Sequence, residues 1–439
     1  MLERLFRLKA NGTAVRTEVL AGFTTFLTMA YIILVNPSIL AEAGMPAAGA
    51  AAATCLAAAF GSILMGMVSN YPIAMAPGMG LNAYFTYTVV QGMGLPWQTA
   101  LGCVFLSGVA FLLLTVSGVR RMIVGAIPRD LFAAIAAGIG LFIAFIGLRS
   151  AGLIVASPAT TVALGDLTTP SAGLAVFGLA VIGALLVWRI RAAMLVGILA
   201  TTALAWILGL VAVKPVPYSV AELTSTAFKL DVPAALGLGG GGLTLALVEI
   251  LFVFLFVDLF DNVGTLVAVT KRAGLVDAAG DIPRLNRVLA ADSAATMAGA
   301  VAGTTTTVSY IESAAGVAAG GRTGLTAVVV GLLFLVAMLF APFAQAIPAA
   351  ATAPALILVG AMMMAPLVES DWTDPMVAIP GFLTLIGIPL TFSIANGLAF
   401  GIIAYAVLKL ARGQARLGDW PLHGLATLFV VRFIWLAAG

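Results

Sequence analysis

Four carboxylates stand where a carboxylate is costly. Asp258, Asp261, Asp292 and Glu312 fall inside long apolar stretches, whereas most of the 18 acidic residues lie in polar links or at stretch ends. A charge at the centre of a bilayer costs at least about 2.5 kcal/mol on insertion scales, so each of the four must face a cavity and find a partner or a proton. Asp258 and Asp261, in FVDLFDNVGTL, are spaced i,i+3 and share a helix face. Glu312 follows a run of hydroxyls, GTTTTVSYIES, that can satisfy freed backbone groups or a polar ligand. Asp292, in ADSAATMAG, is equally suited to capping or bracing a helix, and Asp258 to a hydrogen bond across helices.

Asn82 follows the break APGMGL and offers both a donor and an acceptor, which suits a ligand with ring nitrogens and exocyclic oxygen or amino groups. The other reading is a structural amide that bonds the broken backbone. Thr24, Thr25 and Thr28 put hydroxyls on the first stretch, although helical threonine often bonds its own backbone. Tyr84, Phe85 and Tyr310 are near enough in sequence to stack on a flat ring, with core packing the expected fate of at least two. The single histidine, His423, lies outside the expected core, and no Lys or Arg falls within a core span, so proton binding is left to the carboxylates. Cys55 and Cys103 have neither a CxxC spacing nor a histidine partner, so no metal, cofactor or disulfide framework is expected.

The elements that must carry these groups are membrane spans. Of 439 residues, 62% are hydrophobic and 9% charged, against roughly 45–50% and about 25% in soluble domains. That composition excludes a soluble globular protein. At about 20 residues per crossing there is room for roughly 12 to 14 spans. Cutting at charges, prolines and polar clusters gives fourteen apolar segments: 17–36, 47–68, 73–90, 98–119, 129–148, 171–188, 192–213, 243–270, 285–302, 305–320, 324–345, 353–367, 375–390 and 392–410. Their continuous apolarity favours helices over barrel strands, which would alternate over about ten residues.

With the N-terminus inside, 18 of the 21 basic residues fall in cytoplasmic links, and only Arg149, Lys214 and Lys229 lie outside. This predicts an even number of spans in the cell membrane with both termini cytoplasmic. The net charge of +3 thus reads as topology and not as a nucleic-acid surface. Met1–Lys9 is not followed by a cleavage pattern, so the first span is expected to remain.

Segments 73–90 and 305–320 are short and interrupted by Pro, Gly or Thr clusters, and each is third in its half. Thr25 to Gly80 and Asp261 to Gly316 are both 55 residues apart, so the irregular pieces sit at equivalent places in two halves of seven segments. An inverted repeat with matching broken helices is a sequence pointer to a transporter's binding site. Close packing of small residues is the blander explanation, and 48 glycines make some such clusters inevitable. The expected division is a first repeat at 1–214, a polar link at 215–242 whose GLGGGG run is a flexible linker, a second repeat at 243–410, and a cytoplasmic interfacial segment at 411–439 anchored by Trp420, Arg432 and Trp435.

GFTTFLTMAYIILVNP, APGMGLNAYF, FVDLFDNVGTL and TTTTVSYIESAAGVAAGGRTGLTAVVVG resemble, in order and from about Arg16 to Leu410, the nucleobase:cation symporters, specifically the AzgA-like branch of purine permeases. The resemblance implies an all-α integral membrane protein with a seven-plus-seven inverted repeat, and short strands and half helices in segments 3 and 10. It implies a core domain of segments 1–4 and 8–11 and a gate domain of segments 5–7 and 12–14. Asp261 and Glu312 then bind the base, Asn82, Thr28 and Tyr310 join them, and Asp258, Asp261, Asp292 and Glu312 are candidates for proton coupling. Uracil-transporting relatives carry a histidine one turn after the eighth-segment carboxylate where this chain has Thr265, so their proton relay does not carry over. A carboxylate accepts two adjacent N–H bonds in one plane, as a purine can offer.

The expected function is proton-coupled import of adenine, hypoxanthine or guanine, with homodimerisation suggested by analogy alone. A carrier of uracil, xanthine or an inorganic anion on the same architecture is the alternative, and the anion version is disfavoured by Asp261 and Glu312. A passive channel lacks uphill transport. A membrane enzyme would need a constellation such as HExxH or GxSxG, which the chain does not contain.

Overall fold

The computed structural model describes residues 2–117, 129–211, 219–238, 244–275, 282–414 and 417–438. Within these ranges the side chains of residues 129, 245, 260, 261, 263, 264, 369, 417 and 435–438 lie outside the description. A short α1 (Leu2–Phe6) precedes a first span built of two helices, α2 (Val15–Met29) and α3 (Ile32–Glu42), interrupted at Ala30 and Tyr31. Then come α4 (Ala47–Ser69), β1 (Met75–Pro77) and α5 (Met79–Ala83), the last running on into a π-helical stretch over Tyr84–Gly92. They are followed by α6 (Trp97–Ser117), α7 (Arg129–Ser150), the hairpin β2 (Ile154–Ser157) and β3 (Thr161–Leu164), α8 (Pro170–Val187) and α9 (Ala193–Ile207). Two single turns, α10 (Val220–Leu223) and α11 (Val232–Ala235), lead to α12 (Leu245–Ala273), α13 (Leu285–Ala302), β4 (Thr307–Ser309) and α14 (Ser313–Ala318). Helix α15 (Gly324–Ala337) is prolonged by a 3-10 stretch, and α16 (Ala349–Met362), α17 (Pro375–Leu390), α18 (Ile394–Ala411) and α19 (Trp420–Ala438) complete the chain.

In its described residues each of the fourteen expected segments overlaps at least one of these elements, with 17–36, 73–90 and 305–320 each taking in more than one, and β1 and β4 fall in the two expected to be irregular. Among the described residues eight helices are long and apolar enough to cross a membrane, with Ala193–Ile207, Pro375–Leu390 and Trp420–Ile434 shorter. The β2–β3 hairpin was not anticipated. The link between halves carries local order. Asp231 Oδ1 accepts from the Ala234 amide at 2.9 Å to start α11, and the Phe228 amide donates to the Val301 carbonyl at 2.8 Å. Gly239–Gly242, the expected flexible linker, lies outside the described residues.

The chain forms two compact units, one of Met1–Leu113 with Gly147–Leu356, the other of Leu114–Ile146 with Ile357–Gly439. In the first unit small residues let backbones meet. A Cβ on Gly66 of α4 would lie 2.4 Å from the Gly324 carbonyl oxygen of α15, and one on Gly324 would lie 1.9 Å from the Gly66 oxygen. With apolar lipid on the outside, such close van der Waals contact is what holds spans together. In the second unit α19 packs on α18, where Arg432 Nη1 donates to Asn396 Oδ1 at 3.0 Å and Lys409 pairs with Asp419 at 2.8 Å.

The sequences before α8 and α17, DLTTP and DWTDP, fold alike. Asp166 Oδ1 accepts from the Thr168 amide and hydroxyl at 2.9 and 2.6 Å, and Asp371 Oδ1 from those of Thr373 at 3.0 and 2.6 Å. These bonds hold both exposed carboxyls below the usual aspartate range. Thr169 and Asp374 then cap the helices, each of which begins at a proline whose missing N–H is no loss there.

A strand pair between two broken helices

β1 and β4 pair antiparallel, with Met75 opposite Ser309, Ala76 opposite Val308 and Pro77 opposite Thr307. The ladder is extended by the Gly78 amide donating to Thr306 at 2.9 Å and the Tyr310 amide donating to Ala74 at 3.0 Å. Every strand residue is buried. Two strands alone would leave their outer edges unbonded, a cost of several kcal/mol per group away from water. Helix hydroxyls meet those edges. Ser62 of α4 bonds both the amide and the carbonyl of Met75, at 2.8 and 3.1 Å, and Thr296 of α13 does the same for Thr307, at 3.2 and 3.3 Å. Neither residue was singled out in the sequence.

Glu312 follows β4 at the start of α14. Tyr31, in the break between α2 and α3, donates to Glu312 Oε1 at 2.8 Å. Tyr310 is buried and donates its hydroxyl to the Pro77 carbonyl at 2.5 Å, crossing from β4 to the end of β1. The structure therefore gathers Glu312 and Tyr310 at one strand pair with Tyr31, a residue that sequence reasoning passed over although it sits in the quoted GFTTFLTMAY. Asp258 and Asp292 are both buried, on α12 and α13. Asp261 belongs to α12, and its side chain lies outside the described residues. Its neighbour Asn262 is fully buried, with neither amide atom bonded by a described group.

Asn82 is fully buried on α5 and donates to Asn36 Oδ1 at 2.5 Å. Thr28 donates to the Thr25 carbonyl at 2.7 Å, and Thr24 accepts from Arg191 at 2.8 Å. Tyr84 and Phe85 are fully buried, Tyr84 edge-on to Phe254 with ring centroids 5.3 Å apart. Among the described residues no group of three His, Cys, Asp or Glu is placed to hold a metal ion.

One buried acid does different work. Glu18 of α2 accepts from the amides of Arg322, Thr323 and Thr326 at 2.9, 3.3 and 3.2 Å and from the Thr326 hydroxyl at 2.6 Å. It thereby satisfies the free amides at the start of α15, where a negative charge also suits the helix dipole.

A multi-pass helical protein whose two interrupted helices meet at a polar strand pair has the build of a membrane transporter. The chain belongs to the Permease family (Xan_ur_permease), whose model matches residues 16–407. It is 44% identical over 438 residues to the adenine permease AdeP of Escherichia coli strain K12, covering 100% of this chain and 97% of that permease. It is 44% identical over 450 residues to the guanine/hypoxanthine permease PbuG of Bacillus subtilis strain 168, covering 99% and 100%. The fold is similar to the transmembrane domain of the cyanobacterial bicarbonate transporter BicA, with a TM-score of 0.62 at 14% identity over 88% of this chain and 97% of that one. It also matches SLC26A9, with a TM-score of 0.64 at 11% identity over 90% and 65%. The protein is a transporter and not an enzyme.

Proposed function

We propose that this protein imports purine nucleobases, adenine, hypoxanthine or guanine, by proton symport across the cell membrane. The observation that carries the reading is full-length similarity, at 41–44% identity, to permeases named for adenine and for guanine and hypoxanthine. Glu312, held by Tyr31 beside the strand pair, is suited to accept adjacent N–H groups of a base, with Asp261 as its counterpart on α12. Asn82, Thr28 and Tyr310 are assigned to the substrate with them. Asp258, Asp261, Asp292 and Glu312 are the groups available to a coupled proton, and paired carboxylates disfavour an anion as cargo.

Segments 1–4 and 8–11 act as a core and segments 5–7 and 12–14 as a gate, whose relative rocking alternates access. The matching DLTTP and DWTDP turns, and the matching bonds of Ser62 and Thr296, support a seven-plus-seven inverted repeat behind that division. Both termini are cytoplasmic in this reading, and two copies join as a dimer by analogy with the fold. The test is uptake of labelled adenine and hypoxanthine by cells or vesicles with and without a proton uncoupler. Uphill accumulation that collapses with the uncoupler is expected. Downhill flux alone would indicate a channel, and no purine flux would remove the reading.

A further inference from the structure

We infer that Asn36 fixes the Asn82 amide so that its carbonyl oxygen, and not its NH2 group, is offered to the transported base. The argument begins at a backbone carbonyl, whose role as acceptor is not in question. Thr54 Oγ1 donates its one proton to the Ala50 carbonyl at 2.6 Å, one turn back on α4. Toward Asn36, 2.7 Å away, the same oxygen can therefore only accept. The Asn36 atom facing it must be Nδ2, which also donates to Thr304 Oγ1 at 3.0 Å and so has both protons engaged. Asn36 Oδ1 is left to point at Asn82, and an acceptor there requires the facing Asn82 atom to be Nδ2. An amide's two ends are told apart only by such a network.

The last atom of the series is Asn82 Oδ1. It is buried, and no described protein group donates to it. A buried acceptor in that condition is left at a cost, and native proteins keep such groups where they have a use. Asn82 lies on the half helix that leaves β1, and β4, the partner of β1, leads directly to Tyr310 and Glu312. At this position the site reads an N–H donor of the base, and Asn36, with no contact to the base required of it, sets which chemistry is read. The inference rests on the purine reading above.

The test uses the full-length protein in cells, with membrane abundance measured for each variant. Inhibition constants against labelled base uptake are compared for pairs that differ by one donor group, an amino group in adenine and purine and in guanine and hypoxanthine, and a ring N–H in adenine and 9-methyladenine. In the wild type at least one pair should differ by about tenfold, the worth of one hydrogen bond. In Asn36→Leu that ratio should fall to about threefold or less, because the released amide can turn over. Asn82→Leu should lose the same ratio, and the double variant should lose no more than either alone. Asn36→Asp, in which one carboxylate oxygen still accepts from Asn82 while the Thr54 and Thr304 hydroxyls turn to donate to the other, should retain it. If Asn36→Leu does not reach the membrane, Thr54→Val with Thr304→Val cuts the network one step earlier and should give the same collapse.

Ratios unchanged in the Asn36→Leu protein, or in the Thr54→Val, Thr304→Val protein, overturn the inference, as does an Asn36→Asp protein that discriminates no better than Asn36→Leu. Wild-type protein that accumulates no purine removes the reading of the substrate instead, so the two failures are distinct.

Discussion

Tyr31 and Glu312, 281 residues apart in the chain, share a hydrogen bond of 2.8 Å in which the phenol donates to the carboxylate oxygen. The break between α2 and α3 thus places a donor from the first span on the acid that follows β4. That donor restrains one oxygen of Glu312, so the carboxylate is held in one orientation beside the strand pair.

Tyr31→Phe keeps the ring and removes only this bond. Hydrogen bonds to charged groups are worth about 1.5–3 kcal/mol, so the KM for base uptake should rise roughly tenfold or more. Membrane abundance should not change. An unaltered KM at normal abundance would show that the contact is only structural.

Glu312→Gln and Asp261→Asn should each abolish accumulation of labelled purine while the protein remains in the membrane. Counterflow, which needs no net proton movement, should survive in whichever variant carries only the coupled proton. Full uptake in both would defeat the site assignment.

Glu18→Ala should destabilise the fold by about 2–4 kcal/mol, since three amides and a hydroxyl lose their acceptor at the start of α15. Thermal unfolding in detergent would measure it. Uptake per folded molecule should stay near wild type, which separates this acid from Glu312. A stable Glu18→Ala protein with impaired uptake would reverse the assignment.

Gly66→Val should abolish assembly, because its first side-chain atom would meet the Gly324 carbonyl oxygen. Gly183→Ala, on α8 with open space around it, should be neutral or slightly stabilising, by up to about 1 kcal/mol. Comparing the membrane abundance of the two proteins tests whether close approach, and not glycine content as such, is what matters.

The irregular segments were legible because Pro77, Gly78 and the Thr304–Thr307 run break an apolar pattern locally, and Glu312 because an acid in such a setting needs a reason. Partners brought from far along the chain were not. Ser62 and Thr296 look like helix hydroxyls that bond their own turn, and only the strands beside them reveal another task. Glu18 reads as an ordinary acid at the edge of a span until Arg322, 304 residues on, presents its amide. Tyr31 is hidden for a similar reason, since tyrosine is common near membrane interfaces and its hydroxyl partner lies in the other half. Asn82 was legible as a polar group at a break, but its direction depended on Asn36, which carried no signal of its own.

The ribbon of β1 and β4 also sets a schedule for biosynthesis. Pro77 emerges from the ribosome 230 residues before Thr307, a delay of roughly 10 to 50 seconds at typical elongation rates. For that interval β1 has Ser62 on one flank and nothing yet made for the other. The amino-terminal half must therefore wait in the insertion machinery, or in a provisional packing, until its late-born counterpart arrives. Ribosome stalling between the halves should yield a nascent chain that is inserted but readily degraded.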